Sequence, residues 1–226
     1  MHQGDTKTCN TTRDNAQNCK ASDAREASDA REAGEGAFAR LVRASRTYRR
    51  FDESRRLSAD DLRALVDVAR FAPTANNLQR LRFRLACDEG EVARCLAHHK
   101  WAALLADWDG PAAGERPVAY IAVCAPVGSA KSAIPNIDAG IAAQTIMLAA
   151  RTRGLGGCMV KSFDAGLDDD LGLREQGLEC LVLLALGHPA EKVVLEEAGE
   201  KGAVRYWRDE DDVHHVPKLS LDELIV

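Results

Sequence analysis

Long apolar runs are missing from this 226-residue chain, and so is any excess of basic charge. No apolar stretch approaches the roughly 20 residues a bilayer-spanning helix needs, and the N-terminus is polar with no secretory core, so no membrane role is expected. A formal net charge of −5 leaves no electrostatic footprint for nucleic acid, which usually calls for a basic domain. The 7 cysteines are an odd number and no two stand as Cys-x-x-Cys, so no disulfide framework is expected. Cys124, Cys158 and Cys180 lie in apolar runs, where thiols act as small buried hydrophobes. A reduced, cytoplasmic setting fits these absences.

What is present suits one soluble domain with a sizeable core: 46% apolar and 29% charged residues. Residues 1–36 read differently. They are polar, hold almost no large apolar side chain, and contain the tandem repeat Ala-Ser-Asp-Ala-Arg-Glu-Ala. Such a stretch cannot bury enough surface to offset its ordering entropy, so a disordered tail is expected before a folded domain over residues 37–226.

Periodicity then outlines the elements. Phe38, Leu41 and Val42 have helical spacing. Ser58 predicts the N-cap of a second helix whose buried stripe is Leu62, Leu65, Val66 and Ala69, with Pro73 ending it. Asp61 suits the helix dipole there, while a Glu or Gln would complete a capping box better. Residues 82–87 alternate like a strand and 92–101 return to helix. Residues 118–125 predict a central strand, 136–153 a long buried helix stopped by Gly154, 158–160 a short strand, and 178–186 a long buried one. Residues 204–217 predict a hairpin turned at Asp211-Asp212. Few strands, several helices and no regular alternation predict an α+β fold.

Two segments carry the chemistry. Arg46-Thr47-Tyr48-Arg49-Arg50-Phe51 offers guanidinium groups and a hydroxyl, the donors that grip a phosphate. Arg46 and Arg49 would share a face if this segment were helical. The same arginines, extended by Arg55 and Arg56, also suit a solvated basic surface or a nucleic-acid patch. About two dozen residues later comes Ala72-Pro73-Thr74-Ala75-Asn76-Asn77-Leu78-Gln79, a turn of small and amide residues that could bring Asn77 and Gln79 to a polar ring edge. Together they point to a phosphorylated ring cofactor.

Other signals carry less. Gly154-x-Gly156-Gly157 follows a helix and precedes a strand, the reverse of a dinucleotide fingerprint. Cys95-x-x-His98-His99 supplies too few ligands for zinc on one helix, and His214-His215 alternate faces, so no metal site is expected. No Ser/His/Asp order stands out.

The order Arg-Thr-x-Arg-Arg-Phe-Asp, amphipathic helix, Ala-Pro-Thr-Ala-Asn-Asn-x-Gln resembles the start of the nitroreductase family of FMN-dependent NAD(P)H oxidoreductases. Asp138-Ala-Gly-Ile-Ala-Ala-Gln144 with Gly154-Leu-Gly156 resembles its central helix and following turn. Leu186-Gly-His-Pro189 and Val216-Pro217-Lys218 resemble its late strand and C-terminal arm. The resemblance implies an α+β sandwich, a central mainly antiparallel sheet flanked by helices, in an intertwined homodimer. It implies that Arg46 and Thr47 bind the FMN phosphate, with Arg49 at the phosphate or the pyrimidine edge. Pro73, Thr74 and Ala75 would line the ring, Asn77 and Gln79 would offer amides to it, backbone at Lys161 and Ser162 would approach N5, and Lys218 would reach the phosphate.

The implied reaction is ping-pong hydride transfer from NAD(P)H to a small electron-poor acceptor such as a nitroaromatic, quinone or enone. No side chain is indispensable as acid or base, so no catalytic residue is assigned. The alternatives are a flavin enzyme with a dedicated metabolite substrate, by dehalogenation or dehydrogenation, and a non-enzymatic flavin-binding regulator. Three positions differ from the family pattern: Ser45 and Leu219 stand where arginines are frequent, and Arg80-Leu81 where Pro-Trp often follows Gln79.

Overall fold

The computed structural model describes residues 36–102, 104, 105, 108–199 and 203–226. The expected tail lies outside these residues, apart from Gly36. The chain divides between Arg43 and Ala44. On the N-terminal side the described residues are Gly36 and all but the last residue of helix α1 (Ala37–Ala44), none of whose residues is buried.

The second part holds all the other elements. In chain order they are α2 (Ala59–Ala69), β1 (Arg82–Ala86), α3 (Glu89–Ala97), β2 (Ala119–Pro126), α4 (Ala133–Thr152), β3 (Gly156–Val160), α5 (Gly166–Asp170), β4 (Leu178–Gly187), β5 (Val193–Glu197), β6 (Trp207–Arg208), β7 (His214–Lys218) and α6 (Leu221–Leu224). Four strands form an antiparallel sheet in the order β1-β2-β4-β3, and three form a small sheet in the order β5-β7-β6. The fold is α+β, as the sequence predicts.

Strands β2 and β4 are buried on both faces, which is why they read as nearly unbroken apolar runs. The pleat sends alternate residues to opposite sides. Ile121, Val123, Leu184 and Leu186 meet Leu62 and Leu65 of α2 and Ala143, Ile146 and Ala150 of α4. Tyr120, Ala122, Cys124, Leu183 and Ala185 meet Val92 and Cys95 of α3 and Leu167 of α5. Helix α2 starts with a full capping box: Ser58 Oγ accepts the Asp61 N–H at 3.2 Å, and Asp61 accepts the Ser58 N–H at 2.9 Å. The shorter aspartate therefore suffices where a glutamate seemed the better fit.

Three boundaries differ from expectation. Helix α3 begins at Glu89 and ends at Ala97, because Asp88 caps it through the Gly90 N–H at 2.9 Å. Helix α4 begins at Ala133, and Pro135 sits in its first turn, where a missing N–H leaves no bond unmade. Strand β3 includes Gly156 and Gly157, which read as turn residues. A Cβ on Gly156 would strike the Tyr48 ring and one on Gly157 the Ala185 carbonyl, so these glycines permit close packing rather than a turn. The sequence reading also misses β5, which pairs in parallel with β7 across the hairpin of β6 and β7.

Two histidines are buried and held neutral. His99 lies 2.9 Å from the Tyr120 hydroxyl, and burial lowers its pKa to about 4. His214 on β7 stacks on Tyr206, and burial with Arg49 and Arg208 nearby lowers it to about 4. Below the ordinary histidine pKa of about 6.5 the unfolded chain takes up protons that these side chains refuse. The contribution of these two side chains to stability should be full above about pH 6.5 and fall as pH drops toward 4, by up to about 1.4 kcal/mol per pH unit for each. His98 and His215, whose carboxylate partners raise their pKa, act in the opposite sense. Urea midpoints measured across this range are expected to fall less steeply on acidification in His99→Gln than in the wild type, the remainder belonging to His214.

Candidate functional site

The arginine segment is extended, not helical. Thr47 bridges Gly157 in parallel, and the Tyr48 N–H donates to the Gly157 carbonyl at 2.9 Å. Tyr48 and Phe51 are buried and anchor the segment at both ends, Phe51 against Gly187. The arginines therefore diverge. Arg46 is half-buried and Thr47 is exposed; burial lowers the Arg46 pKa. Arg49 lies over the Tyr206 ring at 5.1 Å and beside the Cys158 thiol, whose pKa burial raises and Arg49 partly restores. Arg50 pairs with Asp212 at 3.1 Å and Glu115 at 3.4 Å.

Beyond Thr47 the outer edge of β3 has no strand partner among the described residues until His99 bridges Phe163. Lys161 lies four positions beyond Gly157, roughly 13 Å of extended chain. Met159 is exposed along it. At the far end, the Lys161 ammonium donates to the Leu181 carbonyl at 2.5 Å. Ser162 Oγ donates to the Lys100 carbonyl at 3.1 Å, and its own carbonyl accepts the Lys100 N–H at 3.2 Å. His98 clasps Asp164 and Asp170, each at 2.9 Å, which raises its pKa and holds this short ladder closed. Cys95, His98 and His99 thus turn to three different surroundings rather than converging.

The amide turn is strained. Asn76, Asn77 and Gln79 all have positive φ, at 51°, 52° and 47°. Such backbone costs of the order of 1 kcal/mol or more per residue and persists only where neighbours enforce it. Here the buried Asp138 of α4 accepts the Ala75 N–H at 3.0 Å, Thr74 Oγ1 accepts the Gln79 N–H at 3.2 Å, and Gln79 Nε2 donates to Asn77 Oδ1 at 3.2 Å. A cavity of about 170 Å³ lies beside the turn, with Pro73, Thr74, Gln79 and Asp138 in its walls. Asn76, Asn77 and Gln79 remain exposed.

One chain does not bring these groups together. Asp138, which holds the turn, precedes Thr152 by 14 residues, roughly 21 Å of helix, and the arginine segment meets the chain just after that helix ends. Lys218 closes β7, exposed, with Glu197 opposite it in register. The expected residues therefore form two groups: Arg46, Thr47, Lys161 and Ser162 beside β3, and Pro73, Thr74, Ala75, Asn77 and Gln79 in the turn that Asp138 of α4 holds. Arg49 belongs to the contact between the arginine segment and the small sheet.

Residues 42–188, well over half of the chain, match the model of the nitroreductase family. The chain belongs to the nitroreductase family. No curated protein sequence matches it. Among solved structures it is similar in fold to a nitroreductase family protein from Clostridium difficile 630, with TM-score 0.56 and 19% identity over 82% of this chain and 95% of that one. A family protein from Clostridium novyi NT gives TM-score 0.55 and 19% identity over 84% and 100%. A nitroreductase from Bacteroides fragilis with bound FMN gives 0.52 and 18% over 74% and 96%.

Within this nitroreductase fold two residues were legible only in part. Asp138 is a lone acid in an apolar helix, a signal that it has a partner, but its partner lies 63 residues away. Glu191 stands unremarkably after Pro189-Ala190, yet it is buried and accepts the N–H groups of Arg49 and Arg50 and the Arg208 guanidinium, the last at 2.8 Å. Among the described residues no helix is long and apolar enough to cross a membrane, and none of their His, Cys, Asp and Glu side chains forms a group that could hold a metal.

Asp138→Ala should leave the part-buried Ala75 N–H without its acceptor and the turn unsupported, a cost of about 1 kcal/mol or more. Chemical denaturation is expected to show that loss, and hydrogen exchange should locate the new mobility at residues 74–79.

Proposed function

We infer that this nitroreductase family member is an FMN-dependent oxidoreductase that works as a homodimer and draws electrons from NAD(P)H. The observation that carries the reading is the open edge of β3, with a cation and a hydroxyl at one end and a backbone ladder at the other. Arg46 and Thr47 would hold the phosphate, through charge-assisted hydrogen bonds worth about 1.5–3 kcal/mol each. Backbone at Lys161 and Ser162 would face the reactive edge of the ring, held still by Lys100 and by His98 between its two carboxylates. When bound, FMN supplies the redox chemistry: hydride from NAD(P)H is received at N5 and delivered to an electron-poor acceptor such as a nitroaromatic, quinone or enone, donor and acceptor taking turns at one face.

The residues fit that cofactor in kind. A phosphate needs fixed cationic donors, and a flat ring needs backbone and small side chains that allow close approach. Separation of the two residue groups along α4 supports the dimer. Helix α4 leaves Ile134, Ile137, Gly140 and Gln144 exposed along one stripe, with Ile141 half-buried between them. A second copy packed on this stripe would carry its own turn, with Pro73, Thr74, Ala75, Asn77 and Gln79, toward the first chain's β3 edge. Lys218, exposed at the end of β7, remains a candidate for the phosphate end.

Arg46 and Thr47 are the residues to test, since Arg49 has a structural task. Arg46→Ala with Thr47→Val is expected to weaken FMN binding by about 10- to 100-fold with the fold retained. Flavin absorption of the purified protein, its bleaching by NADPH without oxygen, and titration with FMN measure this. A wild-type protein that is colourless and takes up no added flavin would refute the reading.

A further inference from the structure

The cavity beside the amide turn opens toward positive charge. It meets a groove of about 610 Å³ between α2 and β1, and the two spaces share Arg70, Leu81, Arg82 and Phe83 as walls. Arg70 stands on one wall, at the C-terminal end of α2, and Arg82 on the other, at the start of β1. Between them the surface is apolar, formed by Leu81 and Phe83 and continued by Val66 and Leu85.

Both guanidiniums are positioned without being neutralised from every side. Arg82 donates through Nη1 to the carbonyls of Gln79 at 3.0 Å and Leu81 at 2.8 Å, partners that fix its direction but carry no net charge. Arg70 lies over the Phe71 ring at 4.0 Å and uses Nε alone on Asp67, at 2.6 Å, an exposed pair of small energetic worth. Arg63 adds a third cation along the groove. Against these stand Asp67, engaged by Arg70, and Asp138, engaged by the Ala75 N–H. The site therefore offers an apolar surface suited to an aromatic body and unspent N–H donors suited to a carboxylate or phosphate. It adjoins Arg80-Leu81, where the chain departs from the Pro-Trp frequent in its family.

We propose that Arg70 and Arg82 recognise an anionic group on the apolar molecule that reacts beside the turn, and so set the ligand preference of the enzyme. This rests on the flavin reading above. The anionic group has two chemical sources: the 2′-phosphate of NADPH, or a carboxylate on the acceptor.

Steady-state kinetics of the flavin-loaded full chain separate them. One arm compares NADPH with NADH at a fixed nitrobenzene concentration. The other compares para-nitrobenzoate with nitrobenzene at fixed NADPH. Arg70→Gln and Arg82→Gln are measured beside the wild type, with the flavin content of each taken from its absorption. Arg70→Gln leaves the carbonyls of Gln79 and Leu81 in their original bonds, so its effect is free of any disturbance of the turn. The wild type is expected to favour the anionic member of at least one pair by about tenfold or more in kcat/KM at low salt. That ratio should fall toward one in each variant and with added salt, mainly through KM, and the arm that responds identifies the source. Ratios near one in both arms for flavin-loaded wild type, or a ratio that neither variant changes, overturn the proposal. A protein that takes up no flavin overturns instead the reading beneath it, and its missing absorption distinguishes that result.

Discussion

A single buried carboxylate joins the parts of this structure. Glu191 accepts the N–H groups of Arg49 and Arg50 and the guanidinium of Arg208, and its side chain is only 1% exposed. An acid so placed is costly to leave unpaired, by about 3–5 kcal/mol when one partner of such a pair is removed. Its bonds fix the extended course of the arginine segment and bring the β5-β7-β6 sheet against it. Arg49 is then turned to Tyr206 and Cys158, and Arg50 to Glu115 and Asp212. Thr47, one bridge from Gly157, is left exposed at the edge of β3. The course of the arginine segment thus depends on Glu191 at one end and on Gly157 at the other.

Strain is concentrated at the other group of residues. Three amide residues with positive φ in one turn would not survive in an isolated peptide, and Asp138, Thr74 and Arg82 hold them there. Backbone in sparsely populated conformations clusters where function needs a preorganised surface. Those amides are left exposed beside a cavity that Thr74 and Gln79 help to wall. Helix α4 separates this turn from the arginine segment, and the proposed homodimer rests on that separation.

Legibility followed the range of the interactions. The N-cap at Ser58, the stripe of α2, the run of β2 and β4 and the hairpin at Asp211-Asp212 depend on neighbours a few residues away, and each appears in the pattern of the chain. The start of α3 escaped because an Asp-capped turn outweighed the apolar spacing that seemed to begin at Val92. Gly156 and Gly157 read as a stop signal because glycine marks turns and close packing alike. The parallel pairing of β5 with β7 joins strands whose hydrogen-bond partners are 21 residues apart, as Val193 is from His214, and no local signal specifies it.

The amino-acid order by itself determined the fold class, the type of the larger elements and the two segments singled out for their chemistry, because periodicity, caps and turn residues are local consequences of side-chain size and hydrogen bonding. Only the tertiary structure decided which arginines face outward and which are buried in service of the fold. That choice turns on Glu191, Tyr206 and Gly157, residues distant along the chain that meet the arginine segment only when sheet and C-terminal arm are assembled. The same holds for the cationic groove between α2 and β1, whose walls come from an element end and a strand start that only packing makes neighbours.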